Sequence, residues 1–182
     1  MAIRPIFETP DPVLRQISKP VETFDDDLKT LVADMFETMY VAPGIGLAAV
    51  QVGVPIRLLV IDLQEPADPD DPESPVVRTP RVFINPEILW HSDHEVPYTE
   101  GCLSVPEQYA EVMRPDRIRA KWQDPDGKAY EEDIDGLLAV CLQHEMDHLN
   151  GVLFIDHLSR LKRDMVLKKL AKWRKEQALK AA

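Results

Sequence analysis

The stretch LLAVCLQHEMDHLNG, residues 137–151, leaves this chain the fewest choices. Its first half is apolar on nearly every side, which predicts a helix buried inside a domain. Its second half sets His144, Glu145, Asp147 and His148 on that same buried helix. His144 and His148 stand at i and i+4 and share one face. Glu145 is turned about 100° from His144 in a regular helix, so it can stand beside an ion held by the pair without binding it. The competing reading is a core helix whose histidines merely hydrogen-bond. That reading must bury two imidazoles and two carboxylates, each costing roughly several kcal/mol unless partnered. His-Glu-x-x-His is therefore read as half of a metal site, and the rest of the fold has to wrap around it.

The remaining pattern supplies the wrapping. Leu28, Leu31, Val32, Met35, Phe36 and Met39 recur with helical spacing. Asp25 to Asp27 provide a cap and favourable first-turn charge, and Pro43-Gly44 stops the helix. GIGLAAVQVG (44–53) is too glycine-rich and too short to predict a regular element. IRLLVIDL (56–63) and RVFINPEIL (81–89) read as strands. Residues 65–80 hold five prolines and five acids, which predicts an exposed acidic loop. ILWHSDHEVPYT leads into EGCLSVP among short extended segments. Ile118, Ala120 and Trp122 alternate with polar neighbours, and PDG at 125–127 turns the chain into AYEEDI, a β-hairpin. Gly151 ends the central helix, and a last helix starts near Ser159. With no repeat and no linker, the order predicts one α+β domain spanning 1–182: antiparallel β-sheets packed around a central metal-binding helix, with a C-terminal helix.

A catalytic metal usually takes three protein ligands and keeps one position open. The metzincin continuation needs histidine at position 154, which is Phe154; another zincin pattern takes a downstream glutamate, and only Glu176 follows. His157 lies just after the helix. His91 and His94 sit in a polar stretch and read as solvated loop histidines. Cys141 shares the histidine face, but its Cα is roughly 10 Å along the axis from His148 at about 1.5 Å per residue. It reads as a small core residue or pocket wall. Cys102, in EGCLSVP, could be delivered by a strand from a second direction. Spacing alone leaves it open whether Cys102 is the ligand or an inert thiol.

Charge and composition narrow the partners. The net charge of −11 argues against wholesale binding to DNA or anionic lipid, and no apolar run approaches a membrane span. The N-terminal MAIRPIFETPDP has no apolar core of a secretory signal, and the two cysteines form no disulfide framework, so a cytoplasmic location is expected. From Ser159 onward, however, nine Lys and Arg face two acids.

Three segments stand in order: GIGLAAVQVG (44–53), EGCLSVP (100–106) and QHEMDHLNG (143–151). Together they resemble the three signature motifs of peptide deformylases. PDPVLRQISKPV and the helix before Gly44 are similar as well, and the tail resembles that of bacterial-type members. The loop at 65–80 is longer than the resemblance leads one to expect.

The resemblance implies a metal-dependent hydrolase that removes the formyl group from N-formylmethionyl nascent peptides. By motif position it implies Cys102, His144 and His148 as ligands and Glu145 as general acid/base. Gln51 and the backbone N–H of Leu103 would bind the formyl oxygen, and Gly46 would offer backbone groups to the peptide. Ile45, Leu138 and Cys141 are the candidates for a pocket around the methionine side chain, with ordinary core as the alternative for each. A Cys-His-His set suits zinc, iron(II), cobalt or nickel. The resemblance favours iron(II), with zinc, nickel or cobalt acceptable substitutes. Two rival classes remain: another metal-dependent peptidase or amidase, and a binding domain that kept the fold. The basic tail suggests docking on the RNA-rich ribosome, with Leu161, Met165, Val166 and Leu170 seating the start of the last helix.

Overall fold

The computed structural model describes residues 2–180; Met1, Ala181 and Ala182, the ends of the span expected for a single domain, lie outside the described residues. Helix α1 (Asp26–Val41) forms where the apolar periodicity placed it, and Asp25 caps it by accepting a 2.9 Å hydrogen bond from the Leu28 amide. Strand β1 (Gly46–Ala48) is followed by one 3-10 turn (Ala49–Val52) that ends at Gly53, in the left-handed region at φ 82°. GIGLAAVQVG is thus a short strand plus a turn, which explains why it showed no single period.

The main sheet is antiparallel, in the order β1, β2 (Leu58–Ile61), β5 (Arg81–His91), β8 (Arg117–Gln123), β9 (Ala129–Asp135). The predicted hairpin pairs Trp122 with Tyr130 and Ile118 with Ile134. β2 is buried on both faces, and its side chains divide by the period of two. Leu58 and Val60 pack towards Leu31, Met35 and Met39 of α1. Leu59 and Ile61 pack towards Ala139, Leu142 and Met146 of helix α2 (Gly136–Leu149). α2 is therefore held against the sheet by its own apolar residues. Truncating Leu142, which is fully buried, would cost roughly 2–5 kcal/mol. Asn150 caps α2, and Gly151 follows at φ 72°, where an added Cβ would lie 2.6 Å from the Arg15 carbonyl oxygen.

A second antiparallel pair, β6 (Glu95–Cys102) and β7 (Val105–Pro115), approaches α2 from another side. This is the second direction from which EGCLSVP was expected to arrive.

Two expectations need correcting. Residues 65–80 are not an irregular loop: β3 (Glu65–Asp68) and β4 (Asp71–Val77) pair as an exposed antiparallel hairpin. Its prolines are tolerated because a two-stranded ribbon is all edge, so a missing N–H can face solvent. Ser74 Oγ accepts from the Asp68 amide at 3.0 Å, and Asp62 anchors the base by accepting from the amides of Gln64 and Thr79. The seat of the last helix, α3 (Arg160–Lys180), also differs. Val166 and Leu170 are buried, but Leu161 and Met165 are 72% and 51% exposed. The contact continues instead through Trp173, with Arg174 bonded to Glu8 and to the Thr9 carbonyl. Among the described residues no helix is long and apolar enough to cross a membrane.

Candidate metal centre

Cys102 ends β6, while His144 and His148 lie on the buried face of α2. One ligand atom from each falls within 4.8 Å of the others, and Cys102 Sγ stands 3.2 Å from His148 Nε2. The two elements are locked together behind the site. Arg114 on β7, nearly fully buried, donates from Nε and Nη2 to the two Glu100 oxygens at 2.7 and 2.9 Å, and from Nη1 to Asp147 at 2.7 Å. Burial alone would raise the Glu100 pKa, but the hydrogen bonds from Arg114 and His144 bring it down to about 2. Glu100 is therefore a carboxylate and accepts from His144 Nδ1–H at 2.8 Å. That bond fixes the tautomer and leaves the Nε2 lone pair for an ion.

The donor set fits a divalent metal: one thiolate and two imidazole nitrogens, converging and oriented from behind. The protein's own charges already separate the two rings. Burial opposes charge on His144, yet Cys102 and Glu100 raise its pKa well above the ordinary histidine value. Burial and the neighbouring His144 push His148 well below it. Metal binding must displace any proton on His144, so affinity will depend on pH.

Glu145 lies beside the triad. Burial pushes its carboxyl up to about 7, and its Oε2 has no hydrogen-bond partner among the described residues. β1 passes directly over it: a Cβ at Gly46 would collide with the Glu145 carboxylate and lie 3.0 Å from Cys141 Sγ. Glycine at 46 is thus required by the close approach of backbone to helix. Gln51 is almost completely buried. Its Oε1 accepts from the Ala48 amide at 2.8 Å, and its Nε2 donates to Ser104 Oγ at 3.0 Å and lies 3.6 Å from Cys102 Sγ. The amide is aimed at the centre. Leu103 follows Cys102 in the β6–β7 turn, and its side chain covers Gly44, where an added Cβ would stand 2.8 Å from Leu103 Cδ1.

A cleft of about 550 Å³ opens over the site. Ile45, Gly46, Gln51, Cys102, Leu103 and Cys141 face it, as do His144 and Glu145. Leu138, a candidate for the pocket around methionine with ordinary core as the alternative, does not face the cleft, which corrects its candidacy in favour of the core. It packs on the sheet side of α2 and lines a separate groove with Ile61 and Leu63. Leu137 and Val140 line the cleft instead, because one residue along a helix turns the side chain by about 100°. His91, His94 and His157 lie away from the triad: His94 pairs with Asp116 and His157 with Asp147. Glu100, Arg114, Ser104 and Trp173 were not anticipated. Glu100 had a legible signal, two residues from Cys102 and so on the same side of a strand, and Trp173 continues the spacing of Val166 and Leu170.

The family model described as polypeptide deformylase matches residues 3–164. The chain is 66% identical over 182 residues to the peptide deformylase of Rhizorhabdus wittichii, covering all of both chains. It is 66% identical over 190 residues to that of Novosphingobium aromaticivorans, covering 96% of this chain and 99% of that one. Among solved structures, a peptide deformylase from Legionella pneumophila superposes with a TM-score of 0.86 at 50% identity, over 97% of this chain and 98% of that one.

Proposed function

Since this chain belongs to the peptide deformylase family, and so is a metal-dependent hydrolase that removes the N-formyl group from the N-terminal methionine of newly synthesised proteins, we propose that Cys102, His144 and His148 hold its metal and that Glu145 moves its protons. One observation carries the assignment of roles: a thiol and two imidazoles converge within 4.8 Å beside a buried carboxyl whose Oε2 has no hydrogen-bond partner among the described residues.

A divalent ion bound there would polarise the formyl carbonyl and lower the pKa of the attacking water. The rest falls to the chain's own residues. Gln51 Nε2 and the Leu103 N–H donate to the formyl oxygen as it gains negative charge, each worth up to about 4 kcal/mol in such a hole. Ser104 and Ala48 keep the Gln51 amide from turning away. Glu145 takes the proton of the attacking water and returns it to the methionine nitrogen as formate leaves. A carboxyl with a pKa raised towards neutral suits both halves of that task. Gly46 lets the peptide backbone lie along β1 in strand fashion, and Ile45, Leu137, Val140 and Cys141 receive the methionine side chain.

We read the physiological metal as iron(II), with zinc, nickel or cobalt as substitutes, and the location as cytoplasmic, where thiols stay reduced. We also read residues 1–182 as one domain. Arg174 near the C-terminus bonds Glu8 and Thr9, and β6–β7 bonds to α2, which supports a single folding unit. Docking on the ribosome through the exposed face of α3 is supported by its nine Lys and Arg, set against an otherwise acidic chain. Metal analysis of anaerobically purified protein, alongside formate release from formyl-Met peptides, tests the roles together.

A further inference from the structure

β1 stands at the end of the five-stranded sheet, so the backbone at 44–46 is the rim of the cleft on which a peptide can pair. With glycine at 44 and 46, this segment has little stiffness of its own. Three hydrogen bonds reach Gly44 and Ile45. The Gly44 N–H donates to the Met39 carbonyl near the end of α1 at 2.9 Å, and the Asp62 N–H donates to the Ile45 carbonyl at 2.9 Å. Gln64 Nε2 donates to the Gly44 carbonyl, also at 2.9 Å. Only this last bond comes from a side chain, and that side chain lies in the connection from β2 to β3, outside the cleft.

Gln64 holds φ 52°, in the left-handed region that a non-glycine residue adopts at a cost. Its surroundings enforce that turn. Asp62 is fully buried, and its Oδ1 accepts from the amides of Gln64 and Thr79 at 3.1 and 3.0 Å, clasping both ends of the β3–β4 hairpin. The Tyr40 hydroxyl, in the last turn of α1, donates to Asp62 Oδ2 at 2.6 Å, and the Arg78 guanidinium lies 4.0 Å from the centre of the Tyr40 ring. α1, β2 and the hairpin thus meet on one carboxylate, and Gln64 carries that junction to the rim of the cleft. A glycine at 64 would make the same turn without strain. A glutamine held there in a strained conformation, with its amide on the Gly44 carbonyl, is explained by the contact with Gly44 and not by the turn.

We propose that Gln64 is a positioning residue for the deformylase reaction: it fixes the β1 rim in the conformation that pairs with the peptide backbone following formylmethionine. It touches no reacting atom. The inference rests on the reading that peptides pair along β1, and one experiment separates the two. Formate release is measured for formyl-Met-Ala-Ala amide and for formyl-Met amide, which offers little backbone to pair, on the metal-loaded wild type, Gln64→Glu and Gln64→Gly. Gln64→Glu keeps the shape of the side chain but presents no donor at neutral pH. Gln64→Gly removes the bond and suits φ 52°, so the turn is retained. Each protein is its own reference, since the ratio of kcat/KM for the longer peptide over formyl-Met amide is read. That ratio should stand well above unity in the wild type and fall roughly 5-fold in both variants, as the loss of one hydrogen bond predicts. The loss should appear as a higher KM for the longer peptide, with its kcat within about twofold of the wild type. A ratio unchanged in either variant, or a loss carried by kcat instead, would overturn the proposal while leaving pairing along β1 intact. A wild-type ratio near unity would overturn that pairing and the proposal with it. No formate from either substrate by the wild type would overturn the deformylase reading as well.

Discussion

His144 Nδ1 donates a 2.8 Å hydrogen bond to Glu100 Oε2, and the same carboxylate is gripped from behind by Arg114. One side chain thus orients a proposed metal ligand and ties β6 to β7. Glu100→Gln keeps an acceptor for the imidazole but loses the charge that Arg114 needs. Metal affinity, measured by chelator competition, should weaken by roughly 10- to 100-fold. Wild-type affinity in Glu100→Gln and in Glu100→Ala would show that the bond does not support the metal.

Glu145 is assigned to protons and not to the metal. Glu145→Ala should therefore retain metal while formate release falls by roughly 100-fold or more. Near-normal turnover by metal-loaded Glu145→Ala would remove the carboxyl from the mechanism.

The iron(II) assignment predicts sensitivity to air. Activity of anaerobically purified enzyme should decay on exposure to oxygen and persist after nickel substitution, with metal content followed in parallel. Air-stable activity in protein carrying only zinc would contradict it.

For docking on the ribosome, the structure fixes where the tail can be cut. Val166, Leu170, Trp173 and Arg174 hold α3 to the body, so removing residues from 168 onward would damage the fold. Deleting 175–182 and replacing the exposed Lys168, Lys169 and Lys172 with Gln keeps that seat. Co-sedimentation with ribosomes should fall, and the binding that remains should depend less steeply on salt. Formate release from a short formyl peptide should continue. Undiminished ribosome binding by this variant would rule out the helix as the contact.

What could be read in advance followed from local geometry. α1 and the β8–β9 hairpin carry a period of 3.6 or 2, β2 and α2 are continuous apolar runs, boundary signals such as Asp25 or the 125–127 turn mark the ends, and these elements and β5 formed where expected. His144 and His148 were legible because i and i+4 on a buried helix fixes their common direction. Cys102 could not be placed by spacing alone, since its position depends on how the β6–β7 pair docks against α2. Leu138 and Leu137 differ by one helical step, and only the packed structure shows which faces the cleft. Arg114 left no trace in sequence: an arginine alternating with apolar residues on a strand looks solvated until its partners, Glu100 and Asp147, arrive from other elements. In α3 the spacing of Val166, Leu170 and Trp173 was present, but Leu161 and Met165 suggested an equally apolar face one turn earlier.

The assignment of Cys102 as third ligand is tested most directly by metal stoichiometry in two cysteine variants prepared without oxygen. Cys102 and Cys141 both line the cleft, yet only Cys102 brings its sulfur to the histidines. Wild type and Cys141→Ala should each retain about one metal ion per chain, whereas Cys102→Ala should lose both the metal and formate release. Full metal occupancy in Cys102→Ala would contradict the site.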